Sequence, residues 1–161
     1  MRAERAGIND IEQLTELRIA YLREDNGSLD PADEKMIRDE LPAYFRCHLD
    51  QDLFVWCVRK EGNIVSCAFL LTVMKPMSPA FIRGRTGTVL NVYTVPESRH
   101  QGCARMIMEA LLKDAAEMDL DVIDLKATDA GCPLYRAVGF ADDVSHYRNM
   151  KWKNKRTGEP K

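Results

Sequence analysis

Apolar side chains recur along this chain in two rhythms: a helical one near the start and again past the middle, and a strand-like one between. Ile11, Leu14, Leu17 and Tyr21 fall three and four positions apart, the spacing that places side chains on one helix face. Asn9 followed by Glu12 supplies a capped start, so a first helix is predicted to about Arg23. Asn26-Gly27-Ser28 ends it, and Asp30-Pro31 opens a second with an N-cap carboxylate and a proline at the first helical position. Pro42 lies inside that second pattern and is expected to kink or split it near Leu41.

Residues 53–58 and 64–73 are rich in β-branched and aromatic side chains, and Lys60-Glu61-Gly62-Asn63 joins them as a predicted hairpin. Residues 75–87 carry Pro76, Pro79, Gly84 and Gly87 and read as a long loop. Strand character resumes over 88–95. From Gln101 onward Ala104, Ile107, Met108, Leu111, Leu112 and Ala115 share one face of an amphipathic helix. Residues 122–127 form a short apolar strand which, arriving after a helix, should lie parallel to the strand ending at Val95. A short helix over 133–138, closed by Gly139 with Phe140 folded back, and a last strand over 146–152 complete the pattern. Residues 1–152 are expected to form one domain and 153–161 a frayed, charged tail.

Composition narrows the function. The chain has 161 residues, 45% hydrophobic and 30% charged, with a formal net charge of −2, which fits one globular domain and gives no basis for nucleic-acid binding. The longest apolar run, about Ala68 to Met74, is too short to span a membrane, and no leader pattern opens the chain, so a cytoplasmic location is expected. Charge is uneven: residues 1–50 sum to −5 and residues 51–161 to +3. An acidic first part leans toward cationic small amines as substrates, against solvated surface as the plainer reading. The five cysteines contain no Cys-x-x-Cys pair, so free thiols are expected, with Cys57 and Cys67 facing each other across the hairpin. Neither they nor His48, His100 and His146 have metal-ligand spacing, and no metal is expected.

Chemistry concentrates between residues 95 and 105. A strand that turns through Gly102 straight into a helix leaves backbone N–H groups without intrahelical partners at the positive end of the helix dipole, a geometry that holds phosphate. Gly102 removes the side chain that would block close approach, and Ala104 intrudes little.

Two motifs extend this reading. Val95-Pro96-Glu97-Ser98-Arg99-His100-Gln101-Gly102-Cys103-Ala104 resembles the acyl-CoA-binding motif of the GNAT superfamily of N-acetyltransferases, Gln/Arg-x-x-Gly-x-Gly/Ala. Leu134-Tyr135-Arg136-Ala137-Val138-Gly139-Phe140 resembles the same superfamily's Leu-Tyr-x-x-x-Gly-Phe signature, one helix and one strand further on. The resemblance is close over residues 88–140 and extends to element order before that. It implies a layered α/β (α+β) fold: a mixed, mostly antiparallel central sheet of six to seven strands, flanked by about four helices, with a parallel βαβ unit splayed at the acyl-CoA site.

The resemblance also implies acetyl-CoA as cosubstrate, with the backbone of His100, Gln101, Gly102, Cys103, Ala104 and Arg105 on its pyrophosphate. Tyr93, Thr94 and Val95 would pair with the pantetheine arm, and Arg99, His100 and Arg105 could meet phosphates through their side chains. Tyr135 would act as general acid toward the departing thiolate, since a phenol's pKa of roughly 10 suits a thiol. Thr128 occupies a position where many members carry an asparagine that contacts the cofactor. No acidic residue lies within 88–95 to serve as base, and Asp124 and Glu97 are open alternatives. The implied reaction is direct acetyl transfer to a primary amine, without covalent catalysis by Cys103 or Cys132. Other readings are a protein or peptide N-acetyltransferase, a non-catalytic acyl-CoA-binding module and a nucleotide-binding domain; a homodimer is compatible with all of them.

Overall fold

The computed structural model describes residues 1–154, and its sheet begins earlier than the apolar pattern suggested. Ala3–Arg5 (β1) pairs antiparallel with the next strand, Leu53–Lys60 (β2), in the register Ala3↔Val58 to Arg5↔Trp56. Ala-Glu-Arg carries no strand-forming pattern; the pairing is tertiary, with the Arg5 guanidinium lying over the rings of Phe54 and Trp56, 4.9 and 4.6 Å from their centroids.

Two helices intervene, Ile11–Asp25 (α1) and Pro31–His48 (α2). Asp10 rather than Asn9 precedes α1, and its carboxylate, accepting from the Gly7 N–H at 2.8 Å, braces the 3-10 turn Ile8–Asp10 that leads into the helix. Asp30 caps α2 as expected, accepting from the Ala32 and Asp33 N–H groups. Pro42 does not split α2, which continues through it to His48. Phe45, fully buried just beyond the proline and edge-on to Phe69, gives tertiary packing that outweighs the local cost.

Strand β2 returns through a Glu61-Gly62 turn, both residues at positive φ, into Asn63–Met74 (β3). The loop that follows is shorter than anticipated, because Arg85–Thr94 (β4) starts ahead of residue 88. A bulge interrupts the β3–β4 ladder: Cys67 pairs with Tyr93 but Phe69 with Leu90, leaving an extra residue in β4 where Asn91 sits at φ +53°. Helix Cys103–Glu117 (α3) crosses to Val122–Asp124 (β5), which pairs parallel with Thr86–Thr88. The order is β1-β2-β3-β4-β5, antiparallel except for the last pair. A short helix, Cys132–Ala137 (α4), follows, with Gly139 at φ +105° and the Phe140 N–H returned to the Tyr135 carbonyl.

The expected six to seven strands are therefore five among the described residues. No strand forms over 146–152, where Tyr147, Met150 and Trp152 are exposed. A strand needs a ladder partner and a covered face, and three-residue β5 supplies little of either. The expected frayed tail lies from residue 155 on outside the described residues.

Apolar side chains fill both faces of the sheet. Leu14, Leu17, Phe45, Leu53, Val55, Cys67 and Phe69 pack beneath α1 and α2. Trp56, Val58, Leu70, Val89, Ile107, Met108 and Leu111 pack beneath α3. Among the described residues no helix is long and apolar enough to cross a membrane.

Candidate functional site

Strands β4 and β5 stay together for three residue pairs and then part, because β5 ends at Asp124 while β4 continues to Thr94. Beyond Thr88 the edge of β4 that faces away from β3 has no strand against it among the described residues. A strand edge of this kind offers backbone donors and acceptors to an extended ligand.

At the end of that edge the chain makes a short 3-10 turn over Pro96–Ser98 and enters α3 through His100 at φ +59° and Gly102 at φ +80°. The Ser98 and Arg99 N–H groups return to Val95 and Pro96, and the next N–H with a protein acceptor is that of Met106, on the Gly102 carbonyl. Among the described residues the six intervening N–H groups, His100 to Arg105, meet no acceptor in the protein. Left-handed residues alternating with others bring successive N–H groups to one concave side, and the helix dipole adds positive potential there. A Cβ on Gly102 would touch nothing within 4 Å, so the space before these amides is open. The arrangement fits a diphosphate, which needs several donors and no nearby side chain.

Side chains around the turn are placed less uniformly than their proximity in sequence suggests. Arg99 lies across the end of β4, its Nε donating to the Thr94 carbonyl at 3.0 Å and its Nη2 to Glu24 at 2.6 Å, with the guanidinium over the Tyr93 ring. It ties the end of α1 to the end of β4. His100 is exposed, Arg105 donates to Glu109 one helical turn on, and Gln101 accepts from Lys60. Cys103 is buried in the α3 core with its thiol toward the Ser98 carbonyl, while Ala104 is half-buried. Val95 closes the ladder on Val65, and the Thr94 hydroxyl pairs with Ser66.

Across the gap, Tyr135 on α4 stands edge-on to Phe140, with centroids 6.1 Å apart. Its phenolic oxygen has no hydrogen-bond partner among the described residues. Burial raises its pKa above the usual phenol value, with smaller upward contributions from Tyr21 and Cys132. Thr128 closes the turn that leads into α4: its hydroxyl and carbonyl both accept from the Gly131 N–H, at 3.2 and 3.0 Å. Asp124 accepts from the Thr88 hydroxyl at 2.8 Å, and the Glu97 carboxylate is exposed.

Three cleft residues escaped the sequence reading. Tyr21 packs edge-on to Tyr93 at 6.4 Å and adds a smaller upward pull on the Tyr135 pKa. Arg18 lies over the Tyr21 ring and donates to Asn91 Oδ1 at 3.2 Å. Asn91, buried at the β4 bulge, in turn donates to Cys67 Sγ at 3.5 Å. A signal for Arg18 was present: four residues after Leu14 and three before Tyr21, it interrupts the apolar stripe of α1 with a charge. Asn91 had none, since a bulge is a property of the ladder. Among the described residues no His, Cys, Asp or Glu side chains gather as a metal site.

Comparison with known proteins bears on the family and the fold. A family model described as acetyltransferase (GNAT) family fits residues 11–140. No curated protein matches the chain. Among solved structures, a predicted acetyltransferase from Clostridium acetobutylicum, solved with acetyl-CoA, shares 28% identity over 93% of this chain and 95% of that chain, with a TM-score of 0.79. A GCN5-related N-acetyltransferase from Ralstonia eutropha JMP134 shares 24% identity over 92% and 97%, with a TM-score of 0.74. A ribosomal-protein-alanine N-acetyltransferase from Brucella melitensis biovar Abortus 2308 shares 19% over 94% and 100%, at 0.68. The last two are likenesses of fold.

Proposed function

Since the chain belongs to the acetyltransferase (GNAT) family, we propose that it moves an acetyl group from acetyl-CoA to a primary amine by direct attack of the amine. The observation that carries this reading is the set of six unpaired amides from His100 to Arg105, opening beside the free edge of β4. These amides would hold the diphosphate, and the β4 backbone around Tyr93, Thr94 and Val95 would pair with the pantetheine arm. Bound there, acetyl-CoA supplies an electrophilic thioester carbon and a thiolate leaving group.

The chain's own residues supply the rest. Backbone N–H groups at the β4 bulge stabilise the negative charge that grows on the carbonyl oxygen. As the nitrogen–carbon bond forms and the carbon–sulfur bond breaks, the Tyr135 phenol gives its proton to the sulfur. The proton lost by nitrogen passes to water, and Tyr135 regains a proton from water to complete the cycle. Burial keeps Tyr135 in the protonated, donating form through neutral and mildly basic pH. Acetylation needs the neutral amine, so the acceptor arrives as an ammonium and sheds a proton first.

Calorimetry with CoA, combined with thiol release from acetyl-CoA over a panel of amines, tests the reading. Tight CoA binding and amine-dependent thiol release are expected. Tyr135→Phe should lower kcat about a hundredfold while the Kd for CoA stays within about twofold. CoA binding without acceptor-dependent release would make the protein a binding module. Stabilisation by ATP or NAD but not CoA would make it a nucleotide-binding domain.

A further inference from the structure

Most arginines among the described residues are committed to carboxylates. Arg5, Arg23, Arg38, Arg59, Arg83, Arg85, Arg99, Arg105 and Arg136 each lie within ion-pair distance of an Asp or Glu. Among the described residues four arginines have no such partner, and of these Arg2, Arg46 and Arg148 are fully exposed. Arg18 alone is both sheltered and unpaired. Its five N–H donors have one protein acceptor, the neutral amide oxygen of Asn91. Burial pulls its pKa below the ordinary arginine value, against the smaller upward pull of Tyr21, Asp25, Cys67 and Tyr44. A guanidinium taken partly out of water without a counter-charge is costly unless something fills the place.

Its position says what that something does. Asn91 is the bulged residue of β4, two before Tyr93, so Arg18 sits on the α1 side of the strand whose free edge is assigned to the acyl donor. The Tyr21 ring beneath the guanidinium packs edge-on to Tyr93, in the strand segment assigned to the pantetheine arm. We propose that Arg18 recognises the acceptor, binding the oxyanion of a primary amine that also carries a carboxylate or phosphate group. The proposal rests on the acetyl-transfer reading and deepens it. The planar fork of arginine matches either oxyanion with two parallel hydrogen bonds.

Matched acceptors test the proposal: an α-amino acid against its amide, an aminoalkyl phosphate against the amino alcohol, and a diamine. Wild-type kcat/KM should favour the anion-bearing member of at least one pair by tenfold or more, and which pair does so separates carboxylate from phosphate. Arg18→Gln should bring that ratio close to one, mainly through KM, and Arg18→Lys should restore part of it. Unaltered CoA affinity and circular dichroism show that each variant is folded. Equal or better use of the neutral and cationic acceptors, or an anion preference that survives Arg18→Gln, overturns the proposal and leaves acetyl transfer standing. Should CoA bind while no acceptor turns over, calorimetry of the CoA complex with the same amines decides: anion binding lost in Arg18→Gln supports the proposal, and none overturns it. Failure to bind CoA at all sinks the reading beneath it.

Discussion

Cys57 and Cys67 stand opposite one another across the β2–β3 ladder, both buried and both free thiols. Burial pushes the Cys57 pKa up to about 11 and that of Cys67 to about 12, against an ordinary value of 9.0. Each folded-state value lies above the unfolded one, so the stability these thiols confer is whole below pH 9 and is lost as the pH climbs through 11 and 12. Burial moves Tyr21, Tyr93 and Tyr135 the same way. Urea denaturation should therefore give a constant free energy of unfolding from pH 7 to about 8.5 and a falling one above about 9. Alkylation of the native protein at pH 8, read by mass spectrometry, should mark exposed Cys47 first and leave Cys57 and Cys67 untouched until urea is added. The same economy of partners explains Arg18 and Arg99: one lacks a carboxylate and faces the cleft, the other has Glu24 and locks α1 to β4.

Among the elements, the start of α3 carries the proposed diphosphate site, and Gly102 is where conformation and the proposed chemistry separate. An alanine there must hold φ near +80°, a strain of about 1–2 kcal/mol, but its Cβ meets no protein atom. Gly102→Ala should thus lower Tm by several degrees while weakening CoA binding at least tenfold, because the methyl group enters the space before the open amides. Proportional losses of stability and affinity would assign the glycine to folding alone. Gly87 contrasts with it. A Cβ there would lie 2.7 Å from Leu70 Cδ1 and 3.2 Å from Leu120 Cδ1, so this glycine serves the close packing that lets β5 join β4.

For the molecule as a whole, one sheet separates two apolar layers, with Leu14 beneath α1 and Ile107 beneath α3, both fully buried. Leu14→Ala and Ile107→Ala should each cost about 2–5 kcal/mol in urea denaturation. Lying on opposite faces, they should add within about 0.5 kcal/mol in the double variant. What could be read from the sequence alone was whatever depends on residues close along the chain. The stripe of α1, the proline cap of α2, the Glu61-Gly62 turn, the Gly102 turn and the Leu134-Tyr135 signature were legible because periodicity and left-handed backbone need no distant partner. Strand β1, the continuity of α2 through Pro42 and the absence of a strand over 146–152 were not, since pairing and burial decide them and both come from residues far away in sequence. The site divides in the same way. Six adjacent amides are a local property of a strand turning into a helix. The unpaired guanidinium of Arg18 exists because the fold brings it to Asn91, 73 positions away, and brings no carboxylate with it.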